Sequence, residues 1–145
     1  LFSKNALRSF SNYIFSLILF LEVFFIITYL LIYSGGINQV PQLFKAPAPF
    51  NFLIPPLAYL YVRSMLLNEN KISFTELLHF IPFFLVFINY IPFYSLPVNQ
   101  KVEIVHRVSE NIYYGLKYKS GIISESYLFY IKILFHIGII MQKVY

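Results

Sequence analysis

The chain has 145 residues, 59% hydrophobic and only 12% charged, with 17 Phe and 13 Tyr against no Trp. A water-soluble domain carries about 25% charged residues; at half that level, and with a mean hydropathy of +0.68, the chain lacks the polar surface to cover a soluble core. The lack of Cys excludes disulfides, thiol catalysis and thiolate metal sites. The net charge of +5 comes from basic residues scattered singly between apolar runs, which suits membrane flanks better than a nucleic-acid surface.

The chain opens on Leu1 rather than Met and stops just after an apolar run, so it reads as a piece of something longer. Residues 1–12 form a basic lead-in with Lys4, Asn5, Arg8 and Asn12. The first apolar segment, 13–33, is about 31 Å long as a helix, enough to cross a bilayer. Its run is long for a signal peptide and no small-residue cleavage site follows. Ser34, Gly35 and Gly36 stop it, and a linker rich in Pro, Gln and Asn leads to Pro49.

The second segment, 50–67, carries Pro55 and Pro56 in its first half. Proline removes a backbone donor and clashes with the preceding turn, and a packed membrane segment accepts it more readily than a soluble core helix. A kinked continuous span is the expectation. The alternative is an extended lead-in with Pro55 in the first helical turn, where proline is tolerated. Ser73 with Glu76 three residues on then has the spacing of a capping box. The third segment, 77–96, has Pro82 and Pro92 near its two ends and Asn89 as its strongly polar interior residue.

Between 97 and 123 the pattern changes. Val102, Val105, Val108, Ile112 and Leu116 recur every three or four residues, with Lys101, Glu103, Arg107 and Glu110 between them. That predicts an amphipathic helix over about 101–117, lying in the interface or over the mouth of a bundle. The last segment, 126–144, is again apolar but contains Lys132 and His136. The expected fold is an all-α integral membrane bundle of about four spans, with the amphipathic helix beside it.

Charge alone does not orient that bundle. Lys4, Arg8, Arg63, Lys71 and Lys143 fall on one side, and Lys45, Lys101, Arg107, Lys117 and Lys119 on the other. Only the first segment, Lys4 and Arg8 against Lys45, tips the balance towards a cytoplasmic start.

Glu22 lies near the middle of the first segment, where a carboxylate faces a partner or a cavity. Counting about 1.5 Å per residue from opposite edges puts Glu22 and His136 at the same depth, so the two are expected to be able to meet at the midplane. Lys132 stands four residues before His136, on the same helical face. These three form a candidate intramembrane polar site, with a plain helix-to-helix contact as the bland alternative. Pro55, Pro56, Arg63, His79 and Pro82 are candidate hinge and transmission positions, Arg63 and His79 sharing one membrane edge. No Ser-His-Asp set arises, because the chain has no Asp. There is no Gly-rich phosphate loop, no HExxH and no metal-ligand spacing among His79, His106 and His136. No catalytic residue, metal or cofactor is expected.

One further signal lies in the residue text. Pro49-Phe50, the run from Pro56 through Leu57, Ala58, Tyr59, Leu60, Tyr61, Val62 and Arg63 to Ser64, the run from Leu77 through Leu78, His79, Phe80, Ile81 and Pro82 to Phe83, and Pro92-Phe93-Tyr94 together resemble the N-terminal membrane region of AraC-type helix-turn-helix transcriptional regulators, as found in Bacteroidota-like bacteria. Pro55 departs from the Gly usual there, which implies a stiffer second helix, and 97–144 match only loosely. The resemblance implies a multi-pass inner-membrane sensor with an earlier helix before Leu1. It also implies a cytoplasmic DNA-binding domain beyond this chain and a small-molecule or envelope signal as input; a homodimer is compatible with it, but the sequence does not give the oligomeric state. A histidine-kinase sensor module, or a fragment of a membrane-bound transferase or transporter, are the competing readings.

Overall fold

The computed structural model describes residues 2–67 and 69–141, and among them every regular element is helical. Helix α1 (Phe2–Tyr33) absorbs the basic lead-in, because nothing from 2 to 33 is Pro or Gly. Its stretch Phe10–Tyr33 is long and apolar enough to cross a membrane. One seam of α1 is covered: Ser11, Ile14, Leu21, Phe25 and Thr28 are buried, with Ile18 half-buried between them. Spacings of three and four keep such a seam on one side of a helix. The remaining face, from Tyr13 to Tyr33, is outward-facing and almost wholly apolar.

At Gly35 the backbone turns left-handed (φ 74°), a conformation glycine adopts without a Cβ clash. The chain then coils through tight 3-10 turns at Gly36–Gln39, Pro41–Leu43 and Ala48–Phe52 before α2 (Ile54–Leu67). The expected continuous span over 50–67 is therefore broken. The axis of Pro41–Phe52 meets that of Ile54–Leu67 at 43°. Pro55 and Pro56 lie in the first turn of α2, and the first amide there to need an acceptor is Leu57, which donates to Leu53 O at 3.0 Å. The prolines thus occupy positions whose N–H would have no helical partner. They start a helix instead of bending one, and the lead-in is coiled where the alternative had it extended.

Helix α2 returns antiparallel to α1. Ser11 and Ser64 share a 2.7 Å hydrogen bond near one end, Phe15 stacks on Tyr61, and Phe24 meets Phe50 edge-on further along. The capping box is present: Glu76 N donates to Ser73 Oγ, and Ser73 N donates to Glu76 Oε2. It opens α3 (Phe74–Leu78), and α4 (Ile81–Tyr94) follows. The single segment expected over 77–96 is thus also interrupted, at 79–80. Pro82 has no N–H, and its ring would strike the carbonyl of Leu78 in a continuous helix; it sits in the first turn of α4.

Helix α5 (Val98–Glu110) covers the end of the bundle near Tyr33, packing Ile104, Val105 and Val108 on Ile37, Phe44 and Phe93. Lys101, expected on the polar side, is buried and donates to Tyr94 O at 2.7 Å, capping α4 with positive charge. Val102, expected on the apolar side, is exposed. Asn111 ends the helix, and its Oδ1 accepts from Tyr113 N at 3.0 Å to open α6 (Ile112–Lys117). One helix over 101–117 is thereby split in two. Helix α7 (Glu125–Met141) closes the chain. Residues 142–145, and with them Lys143 and the end of the expected last segment, lie outside the described residues, as do the side chains of Lys4, Asn5, Arg8, Ile112 and Leu116.

Candidate functional site

The interrupted linker and the two last helices leave a gap between them. Phe25, Thr28 and Tyr29 of α1, Phe52 of the Ala48–Phe52 turn, Val86 of α4 and Leu128 of α7 are among the walls of a cavity of about 440 Å³. Small-molecule sites have volumes of about 300–1,000 Å³. The lining is mainly aromatic and aliphatic, and its polar groups come from α1, the linker, α4 and α7.

The first polar set lies at the start of α7. Tyr90 Oη donates to Glu125 Oε2 at 2.8 Å. Glu125 Oε1 lies 3.0 Å from Lys45 Nζ, an ion-pair contact without hydrogen-bond alignment, with both side chains largely buried. Lys45 also stands over the Phe44 ring at 4.9 Å, and its carbonyl accepts from Tyr94 Oη at 3.2 Å. The linker, α4 and α7 are held together through one carboxylate. The second set is Lys132 of α7, which donates to Asn51 Oδ1 at 3.0 Å. Glu22 acts on Lys132 electrostatically from α1.

Asn89 positions this arrangement. Its Oδ1 accepts from Ile123 N at 2.6 Å, and its backbone carbonyl accepts from Ile122 N at 3.3 Å. Gly121 passes so close that a Cβ there would stand 2.3 Å from Asn89 Nδ2. A residue in the middle of an apolar helix thus seats the loop that delivers Glu125 to Lys45.

At the opposite end of α2, Arg63 is buried at 8% exposure. Its guanidinium bonds the Glu76 carboxylate and the Lys71 carbonyl, and reaches exposed Glu69 at 3.9 Å. Burial works to raise the Glu76 pKa. Hydrogen bonds from the Ser73 backbone and hydroxyl and from Tyr59, with the Arg63 charge, outweigh it and hold the carboxyl below its ordinary 4.5. The end of α2 and the start of α3 are thus clamped through buried charge.

Of the expected polar trio, Lys132 lines the cavity. Glu22 is outward-facing, and half-buried His136 uses Nδ1 on Lys132 O at 2.6 Å. Among the described residues no hydrogen bond or ion pair joins Glu22 to His136; Glu22 acts electrostatically on Lys132 without touching it. Of the hinge candidates, Pro56 and Arg63 are buried, and Pro55, His79 and Pro82 half-buried. His79 caps α3 and its Nδ1 bonds Thr75 O at 3.0 Å; it does not share the short contacts of Arg63 with Glu76. Lys45, Asn51, Tyr90 and Glu125 were not singled out by the sequence. Glu125, next to the last apolar run and in a chain with only six acidic residues, was the one available signal. Among the described residues no three His or carboxylate side chains converge, and no metal position is assigned. No protein-family model, curated protein or solved structure matches this chain.

Proposed function

We propose that this chain is a multi-pass inner-membrane module that receives a signal in the cavity between α1 and α7 and passes it to a transcriptional output of the AraC type. The observation that carries the input half is the cavity itself, an apolar chamber closed on one side by the Lys45–Glu125–Tyr90 contacts. The output half rests on the residue text of 49–94 alone. The reading contains no catalytic step, and DNA is reached only through a domain beyond this chain.

Multi-pass insertion is supported by the surface. Beside the exposed apolar face of α1, Phe84, Leu85 and Ile88 on α4, Phe129, Tyr130 and Leu134 on α7, and Val62, Met65 and Leu66 on α2 are also exposed. A protein in water rarely exposes contiguous apolar patches beyond a few hundred Å². By rise per residue α2 and α4 are each about 21 Å long and α7 about 26 Å, all short of a bilayer core of about 30 Å. The turns over Pro41–Phe52 extend α2, so that span is composite. Irregular backbone at membrane depth is tolerated where it is covered by protein.

Two measurements test the reading on the full gene product. Alkaline phosphatase and green fluorescent protein fusions at 69–72 and at 118–120 should give opposite reporters, with 69–72 on the cytoplasmic side. The same reporter active at both sites overturns the multi-pass topology. Deleting the gene should change a restricted set of transcripts, and a helix-turn-helix domain should follow in the coding sequence. ATP-binding kinase motifs there would instead establish the histidine-kinase reading.

A further inference from the structure

The two lysines of the cavity differ in what answers them. Lys45 has a carboxylate, Glu125, in contact. Among the described residues, Lys132 has the neutral Asn51 amide oxygen in contact, with Glu22 acting from further away. A half-buried ammonium without a contact anion is poorly compensated. Phe25, Phe52, Leu128 and Phe129 line the same cavity, whose other charged groups, Lys45 and Glu125, are in contact with each other.

Helix α1 supplies Phe25, Thr28 and Tyr29 to the cavity wall, and α7 supplies Leu128, Phe129 and Lys132. Tyr29 and Phe129, one from each wall, are 59% and 60% exposed. Both thus line the cavity and face outward; under the multi-pass reading, a ligand reaching the cavity past them comes from among the acyl chains.

We infer that the cavity binds an amphiphile with one anionic head group, its head paired with Lys132 in place of Asn51 and its chain lying between Phe25, Phe52, Leu128 and Phe129. This deepens the sensor reading and rests on it for what the ligand does, while occupancy itself is independent of any output. The same chemistry is supplied by a free fatty acid or by an anionic phospholipid of the bilayer.

The full-length protein in phosphatidylcholine nanodiscs tests this by photo-crosslinking and peptide mapping. One arm uses diazirine-bearing dodecanoate and the other diazirine-bearing phosphatidylglycerol. Crosslinks should fall on residues 25–29 and 128–132, and unlabelled dodecanoate should displace the first probe. Loss of a charge-assisted hydrogen bond predicts about tenfold weaker labelling in Lys132→Met. Lys132→Arg keeps the charge and should keep labelling, which separates loss of the head-group contact from loss of fold. Asn51→Ala removes the competing acceptor and should retain or strengthen it. Labelling in only one arm supports the site and assigns its source. Crosslinks spread over the outer face at Phe84, Leu85 and Leu134, or equal labelling of wild type and Lys132→Met, overturn the inference. So does full displacement by inorganic phosphate, which marks a site for small anions without a chain. Clean site labelling with no transcript response to gene deletion would instead retire the transcriptional reading and leave the amphiphile site standing.

Discussion

Asn89 shows how one polar side chain in an apolar helix decides the packing of a distant segment. It accepts from Ile123 N, and its neighbour across the contact, Gly121, has no room for a Cβ. Leaving a buried N–H without an acceptor costs about 1–3 kcal/mol, and forcing a methyl into a filled contact costs a similar amount, about 1–3 kcal/mol. Asn89→Leu and Gly121→Ala should each lower the melting temperature of the detergent-solubilised protein, and the pair should be less than additive because both loosen one contact. Additive losses would show that the two residues act separately. Arg63 and Glu76 form the other residue-scale unit. Truncating one partner of a deeply buried pair costs about 3–5 kcal/mol; here the Glu69 side of the contact is open to water, and about 1–3 kcal/mol is expected for Arg63→Met. Glu76 is held below its ordinary 4.5, so its ionised form is favoured by the fold. That contribution is complete above pH 4.5 and lost as pH falls through the lower folded value. Melting temperatures of wild type and Glu76→Gln should therefore differ most near neutrality and converge on acidification; a gap that persists in acid would tie the loss to packing.

At the scale of elements, proline position explains why two of the expected spans are interrupted. Pro55, Pro56 and Pro82 all lie in first turns, where a missing N–H costs no hydrogen bond. The breaks before them let the linker fold back into the bundle and place Lys45 and Asn51 beside α7. Pro56 is fully buried against its neighbours, so Pro56→Ala does not straighten a kink. It removes packing volume and restores unfolded-state freedom, together about 1 kcal/mol. Membrane insertion, read by carbonate extraction, should be unchanged. Under the sensor reading the dose response to an added ligand should shift; an unaltered response at normal expression would make the proline start a fixed structural feature with no part in signalling. Helix α5 teaches the same point about register. Its repeat was legible, but its buried face runs through Lys101, Ile104, Val105 and Val108, because the α4 carbonyl terminus draws Lys101 inward and turns Val102 out.

For the whole molecule, the outward apolar surface on α1, α2, α4 and α7 is the property that most constrains where the protein can reside. Removing α7 after residue 124 should open the cavity and release the Lys45 charge, and the truncated chain should lose amphiphile labelling at 25–29 while still inserting through α1; retained labelling there would place the chamber elsewhere. Local signals in the sequence were enough for the helical class, the first long apolar helix, and the capping box at Ser73 and Glu76. Such features depend on neighbours a few residues away, through periodicity, caps and composition. Which polar residues meet was beyond that reach. Depth counting placed Glu22 and His136 at one level but could not say which side chains pair, and the folded chain brings Lys45 to Glu125 and Lys132 to Asn51. Those pairings span 80 and 81 positions along the chain, and they depend on where Gly35, Pro55, Pro56 and Pro82 let the backbone turn, which only the folded packing decides.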